Sequence, residues 1–159
     1  MKRGGFILFP RKFSVASFRE IFTKFPIGRA YGITVFRTVS GIAMSVILNA
    51  AYAYALTKRY LIGRKFINWY TLIPMYFSAG LIPYYLVLKQ LGLTNTIWVY
   101  VVPSAMAPFY IIVFRTFFLG VPESIEESAK LDGAGYFRIF WKIVLPLSMP
   151  VIATIALFS

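Results

Sequence analysis

The sequence predicts an all-α protein, a polytopic bundle of membrane-spanning helices, and three observations carry that prediction. Residues 38–57, 66–88 and 90–114 form charge-free runs of 20, 23 and 25 residues, each near the roughly 20 that cross a hydrocarbon core. The chain is 59% hydrophobic and 14% charged over 159 residues, too little polar surface to cover a water-soluble globule and too apolar for disorder. Its 17 Lys and Arg stand against 5 Asp and Glu. These cations flank the apolar runs and do not gather on one polar face, which suits a lipid surface and not nucleic acid. With no Cys and no His, disulfides, thiolate nucleophiles, zinc sites and imidazole bases are excluded, and no cofactor or metal is expected.

The first element is a short amphipathic helix. Ser17-Phe18-Arg19-Glu20 has capping-box spacing, and Phe18, Ile21, Phe22 and Phe25 recur on one face before Pro26-Ile27-Gly28,. It lies in the membrane interface or packs on the other spans. Met1-Lys2-Arg3 and the apolar residues after it imitate a leader, but the apolar stretch is too short and no cleavage site follows, so no cleaved leader is assigned.

The first span, Thr38 to Thr57, carries Gly41, Ser45, Asn49 and Ala53 at every fourth position. Such a stripe lets another helix approach closely, with the Asn amide bonding across, unless it is chance in an Ala-rich helix. The turn Lys58 to Lys65 leads to the second span, which contains Pro74, Gly80 and Pro83, and each Pro removes a helical donor and invites a kink. Gly92 to Thr96 reads as a turn, with helix from Ile97 through Pro103 and Pro108,. Trp69-Tyr70, Tyr84-Tyr85 and Trp98-Tyr100 suit the headgroup belt; alternatively Tyr76, Tyr84 or Tyr85 stacks on a polar solute,. A fourth apolar stretch begins after Pro146 and runs Val151 to Ser159, about 13 Å of helix. About three full spans and the start of a fourth are therefore expected, in a truncated chain. Sidedness is a near tie, nine positive charges against eight, with the compact Lys58 to Lys65 turn favouring the cytoplasm.

The loop from Gly120 to Leu147 holds four of the five acids, Glu123, Glu126, Glu127 and Asp132. Pro122 starts a helix, the acids suit its N-terminal end and Gly133 stops it. Ile125 and Ala129 share a face that Ser128 and Ala129 keep thin, and a helix of about three turns needs something to dock on. Phe137, Phe140, Trp141 and Val144 then repeat on a second apolar face until Pro146 and Pro150,.

Glu127-Ser128-Ala129-Lys130-Leu131-Asp132-Gly133, nine residues, then Ile143-Val144-Leu145-Pro146 resembles the cytoplasmic signature of bacterial ABC importer permeases. That signature is Glu-Ala-Ala, three residues, Gly, nine residues, Ile, any residue, Leu-Pro. Ser128 is the one departure, small for small. The wider text is most similar to the second permease of maltose-type carbohydrate uptake systems, from Phe13 onward.

The resemblance implies the type I ABC importer permease fold, with these spans as the second to fourth of six helices and the fifth beginning at Val151. Residues 1–31 become an extracytoplasmic lead-in segment and 32–159 an incomplete permease domain, with a cytoplasmic coupling loop at 120–147 in the bacterial inner membrane. The implied partners are a second permease subunit, two ATP-binding cassette ATPase subunits and an extracytoplasmic solute-binding protein. Implied coupling residues are Glu123, Glu126, Glu127, Ser128, Ala129, Asp132, Gly133, Ile143, Leu145 and Pro146: Glu127 meets the ATPase, Ala129 allows close approach, Gly133 permits the turn, and Leu145-Pro146 fixes the elbow. The solute is a sugar or oligosaccharide, and no substrate residue is identified. Nothing resembles a phosphate-binding loop, so ATP hydrolysis belongs to the partner. The alternatives are a permease for a non-sugar solute, a structural or assembly subunit that does not transport, and a membrane enzyme using Glu126, Glu127 or Asp132.

Overall fold

The computed structural model describes residues 27–159, so the amphipathic helix expected at residues 18–25 lies outside the described residues. The chain divides into two compact units, residues 1–36 and 37–159. All packing below lies within the second. Helix α1 runs Ile27–Thr57, beginning eleven residues before the charge-free run, because Arg29 and Arg37 do not interrupt a helix that sequence alone starts at Thr38.

The next two apolar runs, in which each proline is expected to invite a kink, are broken into shorter helices. The second divides into α2 (Arg64–Leu72), a 3₁₀ turn at Ile73–Met75 and α3 (Leu81–Gln90). Pro74 and Gly80, the latter at φ 82°, account for the interruption,. In the third, Ile97 opens only a 3₁₀ turn to Tyr100, and helix resumes as α4 at Pro108–Leu119. Pro108 occupies the first helical position, where its missing N–H costs nothing,.

Two sharp bends follow. Helix α4 turns by 75° into α5 (Glu123–Leu131), and α6 (Tyr136–Leu147) turns by 78° into α7 (Met149–Phe158). Among the described residues α1 is the single helix long and apolar enough to cross a membrane by itself. Within α6, Phe140–Val144 winds as a π turn, with the Leu145 N–H bonded to the Phe140 carbonyl. Pro146 has no N–H to give the Lys142 carbonyl, and the ladder re-registers just before it. At the second bend Ser148 is fully buried, donating from Oγ to the Val144 carbonyl at 2.7 Å.

The core gathers the C-terminal half of α1 with α4 to α7: Ala50, Ala53 and Leu56 meet Ile111, Phe114, Ile139, Val144 and Ile155. The small-residue stripe packs against protein, as expected: Ser45, Asn49 and Ala53 are buried, whereas Gly41 has open space around it. Asn49 receives and gives across the gap. Its Nδ2 donates to the Ala105 carbonyl and its Oδ1 accepts from the Ala107 N–H, both at 3.0 Å. These bonds hold the irregular stretch before Pro108 against α1, where backbone groups outside a helix otherwise lack partners in lipid. Tyr110 closes the far end, its hydroxyl donating to the Phe158 carbonyl at 2.8 Å.

The second apolar face predicted for α6 is only half buried. Phe140 and Val144 are in the core with Ile139, but Phe137 is 78% exposed and packs edge-on against Trp141, itself 39% exposed. The period-based face is rotated outward by one side of the helix, so this aromatic pair is left for lipid or a partner.

Candidate functional site

The loop from Gly120 to Leu147 lies between the two bends. Pro122 and the acidic first turn begin α5 as the sequence predicts. Gly133 stops it by adopting φ 78°, a conformation that side chains with a Cβ rarely take,. The stop is a Schellman motif: the Ala134 N–H bonds to the Ala129 carbonyl and the Gly133 N–H to the Lys130 carbonyl, both at 2.9 Å,. This ending fixes the direction in which the chain enters α6.

The implied coupling residues separate into four groups. Ala129 faces the chain's own core; the close approach it permits is to the neighbouring helices. Val144 is buried between the half-buried Ile143 and Leu145, with Pro146 exposed beside them, so this end of the signature packs partly against the core. Glu123, Glu127, Ser128, Asp132 and Gly133 are exposed, as is Leu131 at 89%. Leu131 stood in the signature text without a role, and its exposure is visible only in three dimensions.

Glu126 belongs to a fourth arrangement that sequence reasoning missed. Its carboxylate pairs with the Lys58 ammonium across 68 residues of chain, with side chains only 16% and 12% exposed. The same ammonium lies 3.9 Å from the centroid of the Tyr54 ring, and that ring packs against Phe118 and Phe140. Lys58 is thus desolvated between a carboxylate and an aromatic face, where both contacts gain strength. A second, exposed pair, Arg59 with Glu123 at 3.3 Å, joins the same two segments. Nothing in the sequence signals either partner, because turn and helix meet only after folding.

These residues line a cleft of about 200 Å³ between the end of α1, the end of α4 and α5. Lys58, Arg59 and Lys130 balance Glu123, Glu126 and Glu127 around it. At its edge Tyr60 and Tyr136 pack with ring centroids 5.5 Å apart, and Lys130 sits 4.9 Å from the Tyr136 ring. Partial desolvation, then the contact with Tyr136, pushes the Tyr60 phenol up to about 12. The contact with Tyr60 draws the Tyr136 phenol down. Among the described residues no group of three or more acidic or metal-ligating side chains could hold a metal ion. The arrangement suits a rigid, charge-balanced surface feature whose outer side carries exposed acids and one exposed leucine.

Residues 33–159 match the sequence profile of the family described as "Binding-protein-dependent transport system inner membrane component". The chain is 46% identical over 153 residues to the polygalacturonan/rhamnogalacturonan transport system permease protein YtcP of Bacillus subtilis (strain 168), covering 96% of this chain and 54% of that protein. It is 42% identical to the protein LplC of the same organism, covering 96% and 52%. Against the maltodextrin transport system permease protein MalD of Streptococcus pneumoniae, identity is 32%, covering 90% and 52%. The chain therefore spans about half the length of these curated relatives. Among solved structures, a crystal structure of a bacterial ABC transporter involved in the import of the acidic polysaccharide alginate superposes with a TM-score of 0.88 at 33% identity, covering 98% of this chain and 56% of that one. The all-α fold, the signature loop and these matches agree: the chain belongs to the binding-protein-dependent transport system inner membrane component family and has the ABC importer permease fold.

Proposed function

We propose that this chain is a permease subunit of an ATP-driven importer, forming half of a translocation pathway for a sugar or oligosaccharide and receiving its mechanical input through α5. It would work in the bacterial cell membrane as a multi-pass protein, beside a second permease, two ATPase subunits and an extracytoplasmic solute-binding protein. One observation carries the reading. A short helix ended by a Schellman motif and tied to α1 by Lys58 and Glu126 holds Glu127 and Leu131 outward, Leu131 at 89% exposure.

An apolar side chain left in water at the tip of an otherwise polar helix is what a docking partner buries. The rigid attachment behind it lets a push on α5 reach the spans as a movement and not as local bending. The carboxylates give little support to an acid–base enzyme: Glu126 is neutralised by Lys58, and Glu123, Glu127 and Asp132 stand open to solvent. Uronate-containing saccharides are the first solutes to test, since relatives carry names for polygalacturonan/rhamnogalacturonan and alginate transport.

The test is solute uptake and solute-stimulated ATP hydrolysis by the full-length permease in its complete complex, reconstituted in liposomes. Glu127→Lys and Gly133→Pro should abolish both while leaving membrane insertion intact, the first by reversing charge at the docking face, the second because Pro cannot adopt φ 78°,. Undiminished uptake with both variants would contradict the proposal.

A further inference from the structure

Arg59 also borders a second, open recess of about 600 Å³, lined with Arg64, Lys65, Asn68 and Arg115. Its charge is unlike that of the cleft beside α5: the lining holds four cations and no carboxylate. Among the described residues Arg64, Lys65 and Arg115 have no ion-pair partner, and the Arg115 Nε is buried without a hydrogen-bond acceptor. Gly63 turns the chain here at φ 75°, and α2 begins with no side-chain cap on its free N–H groups, adding a weak positive dipole to the four cations.

Three cations without a carboxylate partner, lining one recess beside the paired Arg59, repel one another unless an anion sits among them,. The surroundings specify which anion. Ile62, Phe66 and Trp69 are 95%, 74% and 66% exposed, apolar surface beside a cationic recess at the end of the helix long enough to cross a membrane. A free inorganic anion has no use for that apolar surface; a molecule with a charged head and hydrocarbon tails uses both.

We infer that this recess binds the headgroup phosphate of an anionic phospholipid, held by Arg64, Lys65 and Arg115, with the acyl chains running against Ile62, Phe66 and Trp69. The site stands whether or not α5 meets an ATPase, because it depends only on the family's membrane location. A lipid bound there would hold the start of α2 at the bilayer surface, next to the turn that carries Lys58 and Arg59.

The complete complex, exchanged into bilayers of phosphatidylcholine containing a minor fraction of phosphatidylglycerol, is released into the gas phase and its retained lipids are counted by native mass spectrometry. Wild type should retain phosphatidylglycerol in preference to phosphatidylcholine. Arg64→Gln with Arg115→Gln should reduce that preference roughly 25-fold, about fivefold for each cation removed, and Arg64→Lys with Arg115→Lys should restore most of it. Equal retention of the two lipids by wild type, or an unchanged preference in the glutamine variant, overturns the assignment. Binding of inorganic phosphate by these cations in lipid-free detergent without any phosphatidylglycerol preference overturns it too, and gives the site to a free anion.

Discussion

Two regions of this molecule are built on opposite terms. Where the end of α1 meets α4 to α7, Ala50, Ala53, Phe114 and Ile139 are fully sealed from solvent, and Asn49 and Lys58 find polar partners across long sequence separations. Between residues 60 and 100 the chain turns large apolar side chains outward instead: Ile62 at 95%, Tyr76 at 82%, Leu81 at 81%. Apolar surface on this scale is not left to water in a stable protein. The first region is closed by its own contacts and, on the proposed function, would carry a displacement of α5 to the spans. The second is completed by what surrounds it, lipid or another subunit, and its irregular backbone around Pro74, Gly80 and Pro103 can exist at membrane depth only if such neighbours or a cavity satisfy it.

If the closed region is the rigid one, its largest sensitivity is at Asn49. Replacing Asn49 by Leu removes the bonds to Ala105 and Ala107 and leaves a buried carbonyl and N–H unpaired, at a cost of about 2–3 kcal/mol. A drop in the detergent-denaturation midpoint of the purified full-length protein would register it; an unmoved midpoint would show that the packed region is held elsewhere.

Next in size is the desolvated pair. Lys58→Met leaves the Glu126 carboxylate without its partner at 16% exposure, which should cost about 1–3 kcal/mol and lower the amount of solute moved per ATP hydrolysed. Exchanging the charges, Lys58→Glu with Glu126→Lys, should recover part of the coupling. Full coupling in Lys58→Met would show that α5 drives the spans by another route. Smallest is Arg59→Ala: this pair with Glu123 is 84% and 74% exposed, so stability should change by less than about 0.5 kcal/mol, and any effect should vanish in high salt. A large, salt-insensitive loss would mean that the exposed pair is structural after all.

Much of the closed region was legible in the sequence. Asn49 in a stripe of small residues announced a packed face with a polar bond across it, although the bond reaches the irregular stretch at Ala105 and Ala107 and not another helix, and Pro122 with Gly133 bounded α5 to within two residues. Both are local signals, set by residue type and spacing along one helix. What could not be read was non-local or cumulative. Lys58 and Glu126 are 68 residues apart, and no periodicity links a turn to a helix. The charge-free runs located apolar sequence correctly, yet hydropathy does not say whether a proline kinks a helix or ends it. At Pro74 and Pro108 helix was interrupted or began anew. Phe137 and Trp141 followed the right period but face outward, because the period marks a face without saying what that face meets.

Single-cysteine variants made in a cysteine-free background of the full-length permease can report contacts with the proposed ATPase partner directly; residues 1–159 need no substitution for that background. In the assembled complex, Glu127→Cys and Leu131→Cys should each cross-link to the ATPase subunit through a short bifunctional reagent, whereas Tyr84→Cys in the open region should not. Cross-links from position 84 with none from 127 or 131 would place the motor on the wrong side of the molecule and contradict the lever built from α5.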